Sequence, residues 1–310
     1  MANTTLEVIT FPGPTVLPIY VAQDRGFLAK EGLAVNVTFT PSSGYQMQNL
    51  VNGKFQVAQT AIDNQIAYME GQGTAPLDRE PDLVTIAGGG AIELPLVVAP
   101  SIGGFADLKG KVFALDSLST GFAFVLRKML EKNGLMPADY TFVPVGGTDK
   151  RWDSMKAGET VASLLNDPYR TMALNAGFKV LGEGLDFVGP YIASVHVVNR
   201  AWARANDAAA VGYVRAIAAA VRWLYDPANR DEALRILLKR MPETPPPAAA
   251  RMVAAMVEGR TALEPSAKVD IEGLKTVIAL REQYGEPPRK MGAPEKYVDL
   301  SYHARASGGA

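Results

Sequence analysis

The chain has 310 residues, 48% hydrophobic and 20% charged, a balance that excludes a disordered chain and, at ~150 residues per domain, suggests two domains. Lys and Arg number 31 against 32 Asp and Glu, so the net charge of −1 carries no bias toward nucleic acid or an anionic membrane. With no cysteine and only His196 and His303, the chain excludes thiol nucleophiles, thiolate zinc, iron–sulfur clusters, disulfides and His-rich metal cages; these counts leave carboxylate-based or cofactor-based catalysis open, and no motif leads to the expectation of a cofactor.

In chain order, Leu6–Phe11 reads as a strand ended by Pro12-Gly13-Pro14. Pro18 suits the first turn of a helix running to Ala29, with Gly32 breaking it. Val35–Thr40 alternates as a second strand. A short helix at Tyr45–Val51, a strand at Phe55–Gln59 and a helix at Asn64–Met69 follow, and then a loop over Gln72–Asp82. Leu83–Ala87 and Leu94–Val98 are strands separated by Gly88-Gly89-Gly90. No Lys-Ser/Thr follows these glycines, so they read as a flexible turn rather than a phosphate loop.

Lys111–Leu115 is a buried strand, and the helix after it carries Phe122, Val125, Leu126, Met129 and Leu130 on one face. Tyr140–Val145, Val161–Leu165, Phe178–Leu181 and Tyr191–Val198 are further strands, with helices at Lys150–Ala157 and Tyr169–Ala176. After Asn199 the strands stop. Helices follow through Val211–Tyr225, Leu234–Met241, Pro245–Val257 and Asp270–Tyr284, the last with Asp270 as N-cap and Gly285 as its stop, and a loop-rich tail.

Two βα blocks followed by helices without strands imply an α/β chain that leaves its first domain near Val97 and returns near Val198. Residues 1–97 with 198–310 form lobe one in this reading, residues 98–197 form lobe two, and a cleft lies between them. No stretch reaches the ~18 apolar residues that span a bilayer. Leu6 with Val8–Phe11 is strand-sized rather than a signal core. A periplasmic location is expected if an export signal has been removed, and a cytoplasmic one otherwise.

Four segments carry a family resemblance in order along the chain. They are Pro18-Ile-Tyr-Val-Ala-Gln-Asp-Arg-Gly-Phe-Leu-Ala-Lys-Glu-Gly-Leu33, Asp107-Leu-Lys-Gly-Lys-Val112, Met155-Lys-Ala-Gly158 with Asn166-Asp167-Pro168-Tyr169, and Pro294-Glu-Lys-Tyr-Val-Asp-Leu-Ser-Tyr302. The chain resembles the substrate-binding proteins of ABC transporters for nitrate, sulfonates, taurine and thiamine precursors. The resemblance implies a type II periplasmic-binding-protein fold, with two α/β lobes joined by a two-segment hinge. It also implies a monomer that captures a small polar organic molecule, delivers it to a membrane permease and has no nucleic-acid partner. The alternative is a cytoplasmic enzyme on the same fold, a lyase, decarboxylase or pyrimidine-precursor type acting on a small aromatic or heterocyclic acid.

Ligands of open α/β sheets bind beyond the carboxyl ends of strands. In lobe one that selects Thr15, Ser43, Tyr45, Asp63 and Asn64; in lobe two it selects Ser117, Ser119, Thr120, Gly121, Asn166, Asp167 and Tyr169. Asp116 through Gly121 opens the strongest helix, so its free N–H groups and hydroxyls suit a polar ligand group, beside ordinary capping by Ser119 or Thr120. Asp63 and Asp167 can accept from a ligand amine or cap their helices. Tyr45 and Tyr169 can stack on a ring or simply pack. Gly146-Gly147-Thr148-Asp149 is a further strand-end segment. Arg151, the one obvious cation near these segments, reads as a solvated helix residue, and the scarcity of cations favours a neutral or amine-bearing ligand over a small dianion. His196 reads as a buried structural histidine and His303 as an exposed one.

Overall fold

The computed structural model describes residues 4–308. The first βα block comprises β1 (Thr4–Thr10), α1 (Leu17–Asp24), α2 (Phe27–Lys30), β2 (Leu33–Phe39), α3 (Ser43–Val51), β3 (Val57–Ala61), α4 (Ile62–Met69) and β4 (Leu83–Gly88). The second comprises β5 (Pro95–Val98), β6 (Lys111–Leu115), α5 (Gly121–Lys132), β7 (Tyr140–Pro144), α6 (Thr148–Lys156), β8 (Ala162–Leu164), α7 (Tyr169–Asn175), β9 (Lys179–Glu183) and α8 (Gly184–Val188). Then come β10 (Ser194–Asn199), α9 (Arg200–Ala205), α10 (Asp207–Tyr225), α11 (Arg230–Arg240), α12 (Pro246–Ala255), α13 (Ile271–Tyr284) and α14 (Leu300–Ser307).

Two five-stranded sheets result, ordered β2-β1-β3-β10-β4 and β7-β6-β8-β5-β9, one in each lobe. In the first sheet β1 runs parallel to β2 and β3, while β10 lies antiparallel between β3 and β4. In the second, β6 runs parallel to β7 and β8, and β5 lies antiparallel between β8 and β9. The strands β5 and β10 are those that the chain enters directly after each crossing between sheets. Because β10 fills an interior position, the first sheet is complete only once the chain has built the second. The carboxyl ends of the parallel strands carry the connections in which ligands of such sheets bind.

The strand run expected at Phe55–Gln59 is shifted to Val57–Ala61, since pairing with β1 sets Val57 opposite Val8. Tyr191–Ala193, read as the start of the last strand, belongs to the second crossing, and pairing begins at Ser194. The helix expected from Pro18 to Ala29 is broken by Gly26, whose φ of 71° lies in the left-handed region that glycine adopts without steric cost. The tail is less loop-rich than expected: α14 packs on α10 and on β4. At Gly88–Gly90 the expected flexible turn is instead a close-packed crossing. A Cβ on Gly89 would lie 2.7 Å from the Ser194 carbonyl oxygen, and one on Gly90 would lie 2.9 Å from that of Thr261.

The helices after β10 pack mainly on lobe one, where α10 lies against α1, α2 and α14, and α11 against α1 and α12. The exception is α13, which packs on α4 of lobe one and on α5 of lobe two. One apolar core therefore runs from Ile9 and Met47 through Leu94, Tyr191 and Leu274 into Phe113 and Phe124. His196 is buried in β10, and its Nδ1 lies 2.9 Å from the Tyr213 hydroxyl. Burial lowers its pKa to about 4. His303 is half-buried rather than exposed, with Nε2 2.9 Å from the Ser266 carbonyl oxygen.

Candidate functional site

The lobes meet around two ion pairs. In the first, Arg281 of α13 forks onto Asp63 of α4, Nε to Oδ1 at 2.6 Å and Nη2 to Oδ2 at 2.9 Å. Arg281 also donates to Gln72 Oε1 at 2.8 Å and to the Ser119 carbonyl at 2.8 Å. Asp63 Oδ2 accepts the Gly121 N–H, the first of α5, at 2.7 Å. The carboxylate of lobe one thus takes a backbone donor of lobe two. The cap position of α4 belongs to Ala61, so Asp63 does not cap its own helix.

In the second pair, Arg251 of α12 donates through Nε to Asp167 Oδ2 at 2.5 Å, and its Nη2 reaches Asp167 Oδ1 and the Thr171 hydroxyl. Asp167 Oδ1 accepts both the Thr171 N–H at 3.0 Å and the Thr171 hydroxyl at 2.6 Å. Its carboxylate therefore satisfies the first turn of α7 although that helix starts at Tyr169, after Pro168. Beside this second pair, Pro14 and Thr15, Ala91–Glu93 of the first crossing, Asn166, Asp167 and α12 enclose a cavity of about 40 Å³. That holds a few water molecules, whereas an organic ligand needs roughly 300 Å³ or more, so the cavity as it stands is too small for one.

The structure thus brings Thr15, Asn166 and Asp167 to one cavity, and joins Asp63 to Gly121 and, through Arg281, to Ser119. Thr120 caps α5: its Oγ1 accepts the Ala123 N–H at 3.5 Å and donates to Asp116 at 3.0 Å. Ser117 Oγ lies 3.4 Å from Ser119 Oγ, and Ser119 meets Arg281 through its backbone carbonyl, not its hydroxyl. Asn64 turns back onto Thr60 at 3.0 Å. Ser43 and Tyr45 stand at the start of α3 away from the cavity, Ser43 half-buried and Tyr45 exposed with Lys54 over its ring. Tyr169 is half-buried against the apolar cluster of Trp152 and Met155, which supports packing.

The charge reading of these segments needs correcting. Arg151 is not solvated: it is buried, donating to the Leu164 carbonyl at 2.5 Å and the Thr148 hydroxyl at 2.7 Å, with Nε unpartnered. Burial pushes the nearby Asp116 carboxyl up despite the Arg151 charge, and pushes Arg151 down. Nor is Arg151 the one cation: Arg251 and Arg281 arrive from C-terminal helices, and Arg170 bridges Glu93 and Glu183 at 2.8 and 3.4 Å. The scarcity of cations, and the case it made against an anionic ligand, both fall. Arg281 had a signal in the sequence, since it continues the apolar stripe Leu274, Val277, Ile278 at i, i+3, i+4, i+7, where a charge must find a buried partner. Arg251 lies off its helix's apolar stripe and carried no such mark.

The model of the NMT1-like family matches residues 2–238. The chain belongs to the NMT1-like family. Solved structures of the same fold include the periplasmic nitrate-binding protein NrtA from Synechocystis PCC 6803, with TM-score 0.82 at 16% identity over 99% of this chain and 89% of that one. The alkanesulfonate-binding protein SsuA from Xanthomonas axonopodis pv. citri, bound to MOPS, matches with TM-score 0.74 at 18% identity over 97% and 100% of the two chains. A mutant of DszB in complex with biphenyl-2-sulfinic acid matches with TM-score 0.66 at 14% identity over 98% and 99%. No curated protein sequence matches the chain. At these identities the structures establish the two-lobed periplasmic-binding-protein fold that the sequence predicts.

Proposed function

We propose that the chain is the solute-binding component of an ABC importer, capturing a small organic molecule between its lobes and presenting it to a membrane permease. Lobe one comprises residues 1–97 and 198–310, lobe two residues 98–197, and the crossings at 89–94 and 189–193 serve as the hinge. The observation that carries the reading is the convergence of Thr15 from lobe one with Asn166 and Asp167 from lobe two on one cavity beside the first crossing. Family membership supports transport, and with it a periplasmic location and a monomeric state. Catalysis is the weaker reading on this geometry, because Asp63 and Asp167 are each held by a guanidinium group and neither stands free as a general base.

The test is recovery of the natural ligand. Protein purified from its own host is denatured, and released small molecules are identified by mass spectrometry. Small-angle scattering then compares the emptied protein with the protein resupplied. A lower radius of gyration on resupply, with the compound recovered intact, supports capture by closure. Conversion of the compound to a product establishes an enzyme instead.

A further inference from the structure

We propose that the Arg251 guanidinium occupies a cation subsite of the interlobe cavity, and that the ligand displacing it carries an amidinium or guanidinium head on an apolar body. The inference rests on the interlobe cavity being the ligand site.

The pair is asymmetric in a way that decides which partner moves. The Asp167 side chain is 6% exposed and the Arg251 side chain 39%. The carboxylate is also held from within its own lobe by the N–H and hydroxyl of Thr171. The guanidinium sits at the end of a long flexible stem reaching from α12 across to lobe two. Lobe opening therefore strips Arg251 from Asp167, and leaves the carboxylate and its anchoring in place.

Surrounding charge fixes the sign of the replacement. Glu93 in the cavity wall shares the single Arg170 with Glu183 behind it, and Asp186, whose charge acts on Glu183, pairs with Arg260. Four carboxylates thus face three guanidinium groups even with Arg251 docked, and only two without it. An anionic ligand head would enter beside Asp167 and Glu93 with like charge. A planar cationic head reproduces the fork that Arg251 makes on Asp167 Oδ1 and Oδ2. Of the remaining lining, Pro14, Ile92, Met252, Ala255 and Met256 are apolar and suit an uncharged body, while Thr15, Asn166 and Thr261 add polar groups beside it.

Benzamidinium serves as the probe, with benzoate as its anionic counterpart, and binding to the full chain is followed by calorimetry. Arg251→Ala opens the subsite, so benzamidinium should bind this variant about tenfold more tightly than the wild type, where the arm competes. Asp167→Asn in the Arg251→Ala background should abolish that gain. Arg251→Lys, which keeps charge but not the fork, should fall between the wild type and Arg251→Ala, and serves in its place if Arg251→Ala does not fold. Benzoate binding to the wild type and lost in Arg251→Ala would overturn the proposal, because Arg251 would then be the ligand's counter-ion. Equal benzamidinium affinity in all variants would overturn it too. Capture with closure on an anionic natural ligand would leave the transport reading standing and remove only this one.

Discussion

Arg281 and Asp63, 218 positions apart in sequence, form a buried fork-on-fork pair in which each partner also reaches the N-terminal turn of α5 in the opposite lobe. Their side chains are 1% and 3% exposed, so water screens neither charge. Arg281 also lies over the face of Phe124, its Cζ 5.1 Å from the ring centroid. The pair ties α4, α13 and α5 together beside the second crossing, where Tyr191 packs against Gly121.

Replacement of Arg281 by Met strands a buried carboxylate, and a loss of about 3–5 kcal/mol of unfolding free energy follows. Adding Asp63→Leu removes the stranded charge, so the double variant should recover a large part of that loss. Urea unfolding of the two single variants and the double one measures the coupling. A loss below about 1 kcal/mol for Arg281→Met would show that the pair contributes no more than a surface ion pair.

Most elements could be read directly, because strand alternation and the apolar stripe of α5 are local patterns. The two-lobed organisation could be read because strands stop at Asn199. The partners of Asp63 and Asp167 could not, since Arg281 and Arg251 lie 218 and 84 positions downstream and only folding brings them near. Strand-end logic placed Thr15, Asn166 and Asp167 at one cavity. It also selected Ser43 and Tyr45, which follow β2, an edge strand of the first sheet, and so stand away from that cavity. Charge counting along the strand-end segments missed every cation delivered by a C-terminal helix.

Gly121 is required by close approach rather than by its backbone angles. A Cβ there would lie 2.7 Å from Tyr191 Oη and 2.8 Å from Asp63 Cγ. Gly121→Ala should therefore cost about 1–3 kcal/mol and push α5 away from Asp63. Gly104→Ala is the control, because its Cβ meets nothing within 4 Å and its backbone is extended. Thermal unfolding should lower the midpoint for Gly121→Ala alone; equal midpoints for the two variants would mean that the junction gives way without cost.

The hydroxyls at the start of α5 have separable roles. Thr120 caps the helix and donates to Asp116, so Thr120→Ala should destabilise by about 1 kcal/mol and Thr120→Ser should restore most of it. Ser119 reaches Arg281 through its carbonyl, which alanine keeps, so Ser119→Ala should unfold like the wild type. If Ser119→Ala nevertheless weakens capture of the natural ligand in calorimetry, its hydroxyl contacts that ligand. Unchanged affinity in both Ala variants would remove the α5 terminus from the ligand site.

Acid should weaken the fold through His196 before it reaches the carboxylates. In the folded chain burial holds the imidazole neutral down to about pH 4, while in the unfolded chain it takes a proton near its ordinary value of 6.5. A lowered folded-state pKa contributes stability that is fully present above pH 6.5 and is lost as the pH falls from 6.5 toward 4, because only the unfolded state binds the proton there. The span of the two values corresponds to about 3 kcal/mol lost across that window. Below about pH 4 both states are protonated and the loss levels off. The glutamine of His196→Gln carries no titratable group at this site, so the variant's stability should be flatter between pH 7 and 4.5, whatever its starting value. Urea unfolding of wild type and variant at closely spaced pH values gives both curves. Parallel curves through this window would mean that His196 is protonated in the folded chain, with the Tyr213 hydroxyl accepting from Nδ1 instead of donating to it.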